Sequence, residues 1–141
     1  MFSFCIPTEF VFGSGSFKKL YQYRMPGKKA LIVTTNGGSV KRLGYLNELE
    51  KQLEKSDVSF EVFDGIEPNP ITDNIMAAAA KAKETNCDFV IGFGGGSPMD
   101  SAKLIALAAT NPGNIWDYCQ KGTGGRKQPE NTPLPVVCIS T

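Results

Sequence analysis

The passage FVIGFGGGSPMDSAK, residues 89–103, constrains the fold more than any other stretch of this chain. A short apolar run delivers the backbone to three successive glycines, and strong helix formers begin at once. A run of this length and composition suits a strand buried on both faces, and such strands belong to parallel sheets joined by helices. Glycines after the strand let backbone N–H groups come close to a ligand. The first turn of the next helix adds unpaired N–H groups and the positive end of its dipole. A pyrophosphate is therefore favoured at Gly95, Gly96 and Ser97. The same residues also fit a plain helix start, with Ser97 as N-cap, Pro98 at the first helical position and Asp100 reaching back. Capping explains the serine, proline and aspartate and leaves three glycines without a reason. Asp100 repels a phosphate, so its expected task is to cap, or to touch a ribose or an amide, and Lys103 reads as a solvated helix residue.

The rest of the chain repeats the strand-then-helix pattern. Residues 4–12 followed by Gly13-Ser14-Gly15 predict a short strand or hairpin segment and a turn, with Phe17, Leu20 and Tyr21 at helical spacing after it. Residues 29–34 (KALIVT) predict a buried strand. Leu43, Leu46, Leu49 and Leu53 then recur at three- and four-residue steps, which predicts one amphipathic helix ending near Ser56. Residues 58–63 predict a strand, Thr72 is placed to cap a helix carrying Ile75, Met76 and Ala79, and Leu104, Ile105 and Ala108 share one face of the helix after the glycines. Residues 134–139 supply a further strand after an irregular stretch around Trp116 and Asp117, which read as packing and turn residues. This alternation predicts an α/β fold, a doubly wound, mostly parallel, Rossmann-like sheet preceded by a short strand or hairpin segment.

A chain of 141 residues has the size of one domain, and the glycine-rich helix start makes residues 1–141 a candidate nucleotide-binding domain. Its formal charge of +1 offers no field for nucleic acid or an anionic membrane, and neither is expected as a partner. The opening residues lack the layout of a signal peptide, and no apolar run is long enough to span a bilayer, so a cytoplasmic location is expected. The four cysteines, Cys5, Cys87, Cys119 and Cys138, show no metal or redox spacing and read as buried small hydrophobes. Histidine is absent, which removes histidine acid–base chemistry and histidine metal ligation. No catalytic and no metal-binding residue is assigned within the chain.

A second glycine loop, Asn36-Gly37-Gly38-Ser39-Val40-Lys41-Arg42, follows the strand at 29–34. Sites that prefer NAD place an acid where such a strand ends, to hydrogen-bond the ribose hydroxyls. No acid occurs between Thr34 and Arg42, whereas Ser39, Lys41 and Arg42 can receive a phosphate. NADP is favoured, with NAD allowed. Asn69, in Glu67-Pro68-Asn69-Pro70, is expected at the same edge of the sheet, with access to a bound ligand or as part of a rigid polar turn.

Gly94-Gly95-Gly96-Ser97-x-x-Asp100-x-Ala102-Lys103, Glu67-Pro68-Asn69-Pro70 and Phe12-Gly13-x-Gly15 together resemble the iron-containing alcohol dehydrogenases, in particular the butanol-dehydrogenase-like branch. The resemblance implies an amino-terminal cofactor domain, with the helical domain that holds divalent iron or zinc absent from this chain. It implies that Gly95, Gly96 and Ser97 hold the pyrophosphate, Asp100 lies near the nicotinamide, Asn69 contacts the cofactor, Gly37, Gly38 and Ser39 surround the adenosine ribose, and Thr141 opens a threonine-rich stretch beside the cofactor. Hydride transfer between NAD(P)H and a small alcohol or aldehyde is then a property of a full-length protein, and this chain alone is expected to be inactive. The end at Thr141 suggests a truncated product. A homodimer is among the assemblies left open. Two alternatives remain: a self-contained nucleotide-binding module without catalysis, and a domain of a glycerol dehydrogenase-like relative.

Overall fold

Ala30, Leu31, Ile32 and Val33 are fully buried, and so are Phe89, Val90 and Ile91, so two strands form the centre of the molecule. They belong to β1 (Lys29–Thr35) and β3 (Phe89–Gly94). With β2 (Ser59–Ile66) and β4 (Val136–Ser140) they make a four-stranded sheet of order β2-β1-β3-β4, parallel throughout. This is a computed structural model, and it describes residues 1–36, 38–69, 71–120 and 124–141.

Alternate residues of β1 serve opposite faces, as the two-residue period of a strand requires. Ala30 and Ile32 pack with Val40, Leu46, Leu49 and Leu53, from α1 (Ser39–Arg42) and α2 (Tyr45–Lys55). Leu31 and Val33 pack with Ile75, Ala79, Ala102 and Ile105, from α3 (Thr72–Glu84) and α4 (Gly96–Thr110). The sheet is wound on both sides, as the alternating pattern implied. No helix among the described residues is long and apolar enough to cross a membrane.

Several local expectations need correction. Residues 1–12 form no strand; Phe2, Phe4, Phe10 and Phe12 are exposed, and none of the strands among the described residues pairs with this segment. The turn and the helical segment do form, the latter as a 3₁₀ helix over Ser16–Gln22. The single helix expected from Leu43 to Ser56 is broken at Gly44, whose φ of 75° is left-handed, and Leu43 is exposed. Leu104 also faces outward. Thr72 starts α3 without capping it, since Ile71 is the N-cap and no side chain bonds there. Of the cysteines only Cys87 is buried, while Cys5 and Cys138 are exposed, and all four are free thiols. Trp116 and Asp117 do lie in a turn, a 3₁₀ helix over Ile115–Tyr118, where Asp117 accepts the Asn114 N–H at 3.1 Å.

Candidate cofactor site

Strand order decides where a ligand fits. The chain leaves β1 towards β2 on one side and reaches β3 on the other, so the direction of winding reverses between β1 and β3. In open α/β sheets the crevice outside the carboxyl ends at such a switch point is where ligands bind. Both glycine loops flank it: residues 36–38 follow β1, and Gly95 follows β3.

Helix α4 begins at Gly96, two residues earlier than capping by Ser97 would give. Gly95 is the N-cap and no side chain bonds to the first-turn N–H groups, so those donors are uncapped at the head of a 15-residue helix. Ser97 therefore lies inside the first turn and not at the cap. A β-carbon on Gly95 or Gly96 would meet nothing within 4 Å among the described residues, so both glycines border space that a side chain would fill. Gly94 is different: its φ of 137° is closed to most side chains, and a β-carbon there would stand 2.9 Å from Pro98 Cγ. Its neighbourhood links the two loops, because the same β-carbon would stand 3.7 Å from Val40 Cγ2.

Asp100 does not reach back to the helix start. Its carboxylate accepts from Lys103 Nζ at 3.0 Å, one turn along the exposed face. That hydrogen bond holds the Lys103 ammonium above the usual lysine range. Lys103 thus offsets part of the charge that would oppose a phosphate on the same helix. Thr141 donates its N–H to the Gly94 carbonyl at 3.2 Å, which fixes it beside the glycine loop. Thr34, the last fully buried residue of β1, has an Oγ1 with no hydrogen-bond partner among the described residues, and the Oγ of the buried Ser101 in α4 has none there either.

Gly38 caps α1 in extended backbone, and a β-carbon on it would collide with Thr35 Oγ1. Ser39 is exposed at the start of α1. Gly37 lies outside the described residues, as does Pro70 in the loop after β2. Asn69 is exposed with a left-handed φ of 62°, beyond the end of an edge strand and on the side of β1 away from β3. The structure thus gathers Gly95, Gly96, Ser97, Asp100 and Thr141 around one loop and sets Gly38 and Ser39 next to it, while Asn69 stands at the same carboxyl edge of the sheet, beyond β2.

Lys41 was a candidate phosphate ligand, yet its ammonium is bonded to the carboxylate of Asp64 on β2. The Lys41 hydrogen bond is the main reason the Asp64 carboxyl lies below its usual range, against a smaller opposing effect of burial. The loop after β1 carries no acid of its own. The topology brings one in from the neighbouring strand.

A cleft of about 660 Å³ opens at the other edge of the sheet, lined by Tyr21, Arg24, Met25, Lys28 and Val58. It lies before the amino ends of β1 and β2, where neither a glycine loop nor the start of a long helix supplies donors. Strand direction therefore favours the glycine-lined edge over this hollow.

The sequence profile of the family described as iron-containing alcohol dehydrogenase matches residues 7–141. The chain belongs to the iron-containing alcohol dehydrogenase family. Within that family it is 38% identical over 140 residues to "Alcohol dehydrogenase 4" of Saccharomyces cerevisiae, covering 98% of this chain and 35% of that protein. It is 36% identical over 142 residues to the "NADPH-dependent aldehyde reductase YqhD" of Escherichia coli, covering 99% of this chain and 35% of the relative. The fold superposes with a TM-score of 0.86 on the crystal structure of NADH-dependent butanol dehydrogenase A from Thermotoga maritima, at 32% identity, over 100% of this chain and 34% of that one. The chain thus spans about 35% of the length of the curated family members it matches.

Proposed function

We propose that this chain is the NAD(P)-binding domain of an iron-containing alcohol dehydrogenase. The observation that carries the reading is the uncapped start of α4, with Gly95 and Gly96 open to solvent, beside the switch point of a parallel sheet. These residues fit a dinucleotide. The N–H groups of Gly96, Ser97 and their neighbours bind the pyrophosphate, and the helix dipole adds about 0.3–1 kcal/mol. Gly38 and Ser39 meet the adenosine ribose. Thr141 and Asp100 line the nicotinamide end, with Asn69 a more distant contact and Gly37 assigned to the ribose on sequence alone. When bound, the nicotinamide supplies or accepts a hydride, exchanged with a small alcohol or aldehyde.

The metal does not fit within this chain. It contains no histidine, and among the described residues no three carboxylates or thiols converge on one point. Metal ligands, substrate pocket and turnover therefore belong, on this reading, to the part of the family members' length that this chain does not span, and the chain by itself binds cofactor without catalysing. NADP is favoured over NAD because residues 34–42 carry no acid; relatives are named for both NADH and NADPH.

Calorimetric titration of the purified chain with NADPH and NADH, repeated with Ser97→Trp, tests the proposal. Saturable binding that the substitution abolishes is expected. A folded chain that binds neither cofactor, or binds equally well with Trp at position 97, would contradict it.

A further inference from the structure

Asp64 enters the candidate site through an irregularity of the sheet. Val33 pairs with Phe63, but Thr35 pairs with Ile66, so one residue of β1 stands opposite two of β2, Asp64 and Gly65. A bulge of this kind bends the strand and re-aims its side chains. The Asp64 carboxylate bonds Lys41, two residues after Ser39, and both side chains remain partly exposed, at 48% and 33%. The neighbouring acid of β2 is paired differently: Glu61 faces Lys29 and Lys81, each at 3.7 Å.

We propose that Asp64 is a selectivity-determining residue, which restrains the preference of this site for a 2′-phosphorylated cofactor by holding Lys41. The inference rests on the cofactor reading above. Asp64 sits near the carboxyl end of β2, and an acid at a strand end beside the ribose accepts from its hydroxyls and repels a 2′-phosphate. Here the acid is bonded to the cation that a 2′-phosphate needs. NADPH must therefore displace a carboxylate from Lys41 and tolerate that carboxylate nearby, whereas NADH disturbs neither group. The two residues act in opposite directions on one phosphate, and the pair leaves the site accessible to both cofactors.

The test is titration of the wild-type chain, Asp64→Asn and Lys41→Gln with NADPH and NADH. Asp64→Asn keeps the shape and removes the charge, and it should tighten NADPH by about three- to tenfold with NADH changed less than about twofold. Lys41→Gln leaves the carboxylate unpaired and should weaken NADPH about tenfold or more while sparing NADH, which gives a second reading if the first variant folds poorly. Equal effects on both cofactors, or no change in their ratio, would overturn the role of Asp64 while leaving the dinucleotide site standing. Failure of the folded wild-type chain to bind either cofactor would overturn the site and this inference together.

Discussion

A β-carbon on Gly92 would stand 2.8 Å from the Cα of Met99, so β3 and α4 meet backbone to backbone beneath the glycine loop. Ala102 Cβ and the Pro98 carbonyl close the same space at 2.9 Å each. Backbone cannot swing aside as a flexible side chain can. Gly92→Ala should therefore push α4 off the sheet and cost about 1–3 kcal/mol, read as a lower urea midpoint at unchanged slope. A loss below about 0.5 kcal/mol would mean that the helix is not seated as described.

Gly95 and Gly96, three and four residues later, behave oppositely. Nothing lies within 4 Å of a β-carbon on either, so Gly96→Val should leave stability within about 0.5 kcal/mol of wild type. The added side chain occupies the space assigned to the pyrophosphate, and cofactor binding should fall about tenfold or more, a loss of roughly 1.4 kcal/mol. Unchanged binding in titration would move the phosphate away from this loop.

Asn111, 2% exposed, is the structural anchor of the segment returning to β4. Its Oδ1 accepts the N–H groups of Glu130 at 2.8 Å and Asn131 at 2.9 Å. Its Nδ2 donates to the carbonyls of Leu107 at 3.1 Å and Asn131 at 3.0 Å. Asn111→Ala strands several of these groups and should cost about 2–4 kcal/mol. Faster hydrogen exchange at the Glu130 and Asn131 amides, ahead of global unfolding, is the specific sign to look for. Asn111→Asp should restore the two amide contacts in part.

Asp64 offers a pH signature. Its carboxyl titrates below the ordinary 3.8, chiefly through the Lys41 hydrogen bond. The stabilisation from that pair is thus fully present above pH 3.8 and is lost as the pH falls through the folded value. Carbon-detected NMR of the side chain should show the depressed midpoint, and Lys41→Gln should raise it. A midpoint that stays put in the variant would show that Lys41 is not the cause.

Cys87 and Cys138 give a contrast in reactivity. Burial pushes both the Cys87 and the Cys138 thiols above the usual 9.0, but Cys87 is buried whereas Cys138 is exposed on β4. Thiol labelling at pH 8 should modify Cys5 quickly, Cys138 more slowly and Cys87 only on unfolding. Rapid labelling of Cys87 in the native chain would contradict its packing beneath α3.

The parts of this molecule legible from sequence were those with a local cause. Apolar runs 29–34 and 87–93 located the two central strands, although β3 itself begins only at Phe89, and the three glycines before Pro98 marked the approach to α4. Helix capping was misread because Ser97-Pro98 resembles a cap, whereas Gly95 lets the helix start earlier. The strand expected over residues 4–12 failed because pairing needs a neighbour, which no local pattern reports. Gly44 broke a helix whose leucine spacing ran straight through it, since spacing says nothing of a left-handed φ. The Lys41–Asp64 pair was invisible for a topological reason: the two lie 23 residues apart and meet only because β2 is the neighbour of β1.

Amide-resolved NMR titration of the chain with NADPH tests most directly whether a dinucleotide lies across the β1–β3 switch point. Saturable shifts that are largest at Gly95, Gly96 and Ser97, with smaller ones at Gly38, Ser39 and Thr141, are expected. Shifts confined to Tyr21, Arg24 and Lys28 at the opposite edge, or a folded chain that shows none, would contradict the assignment.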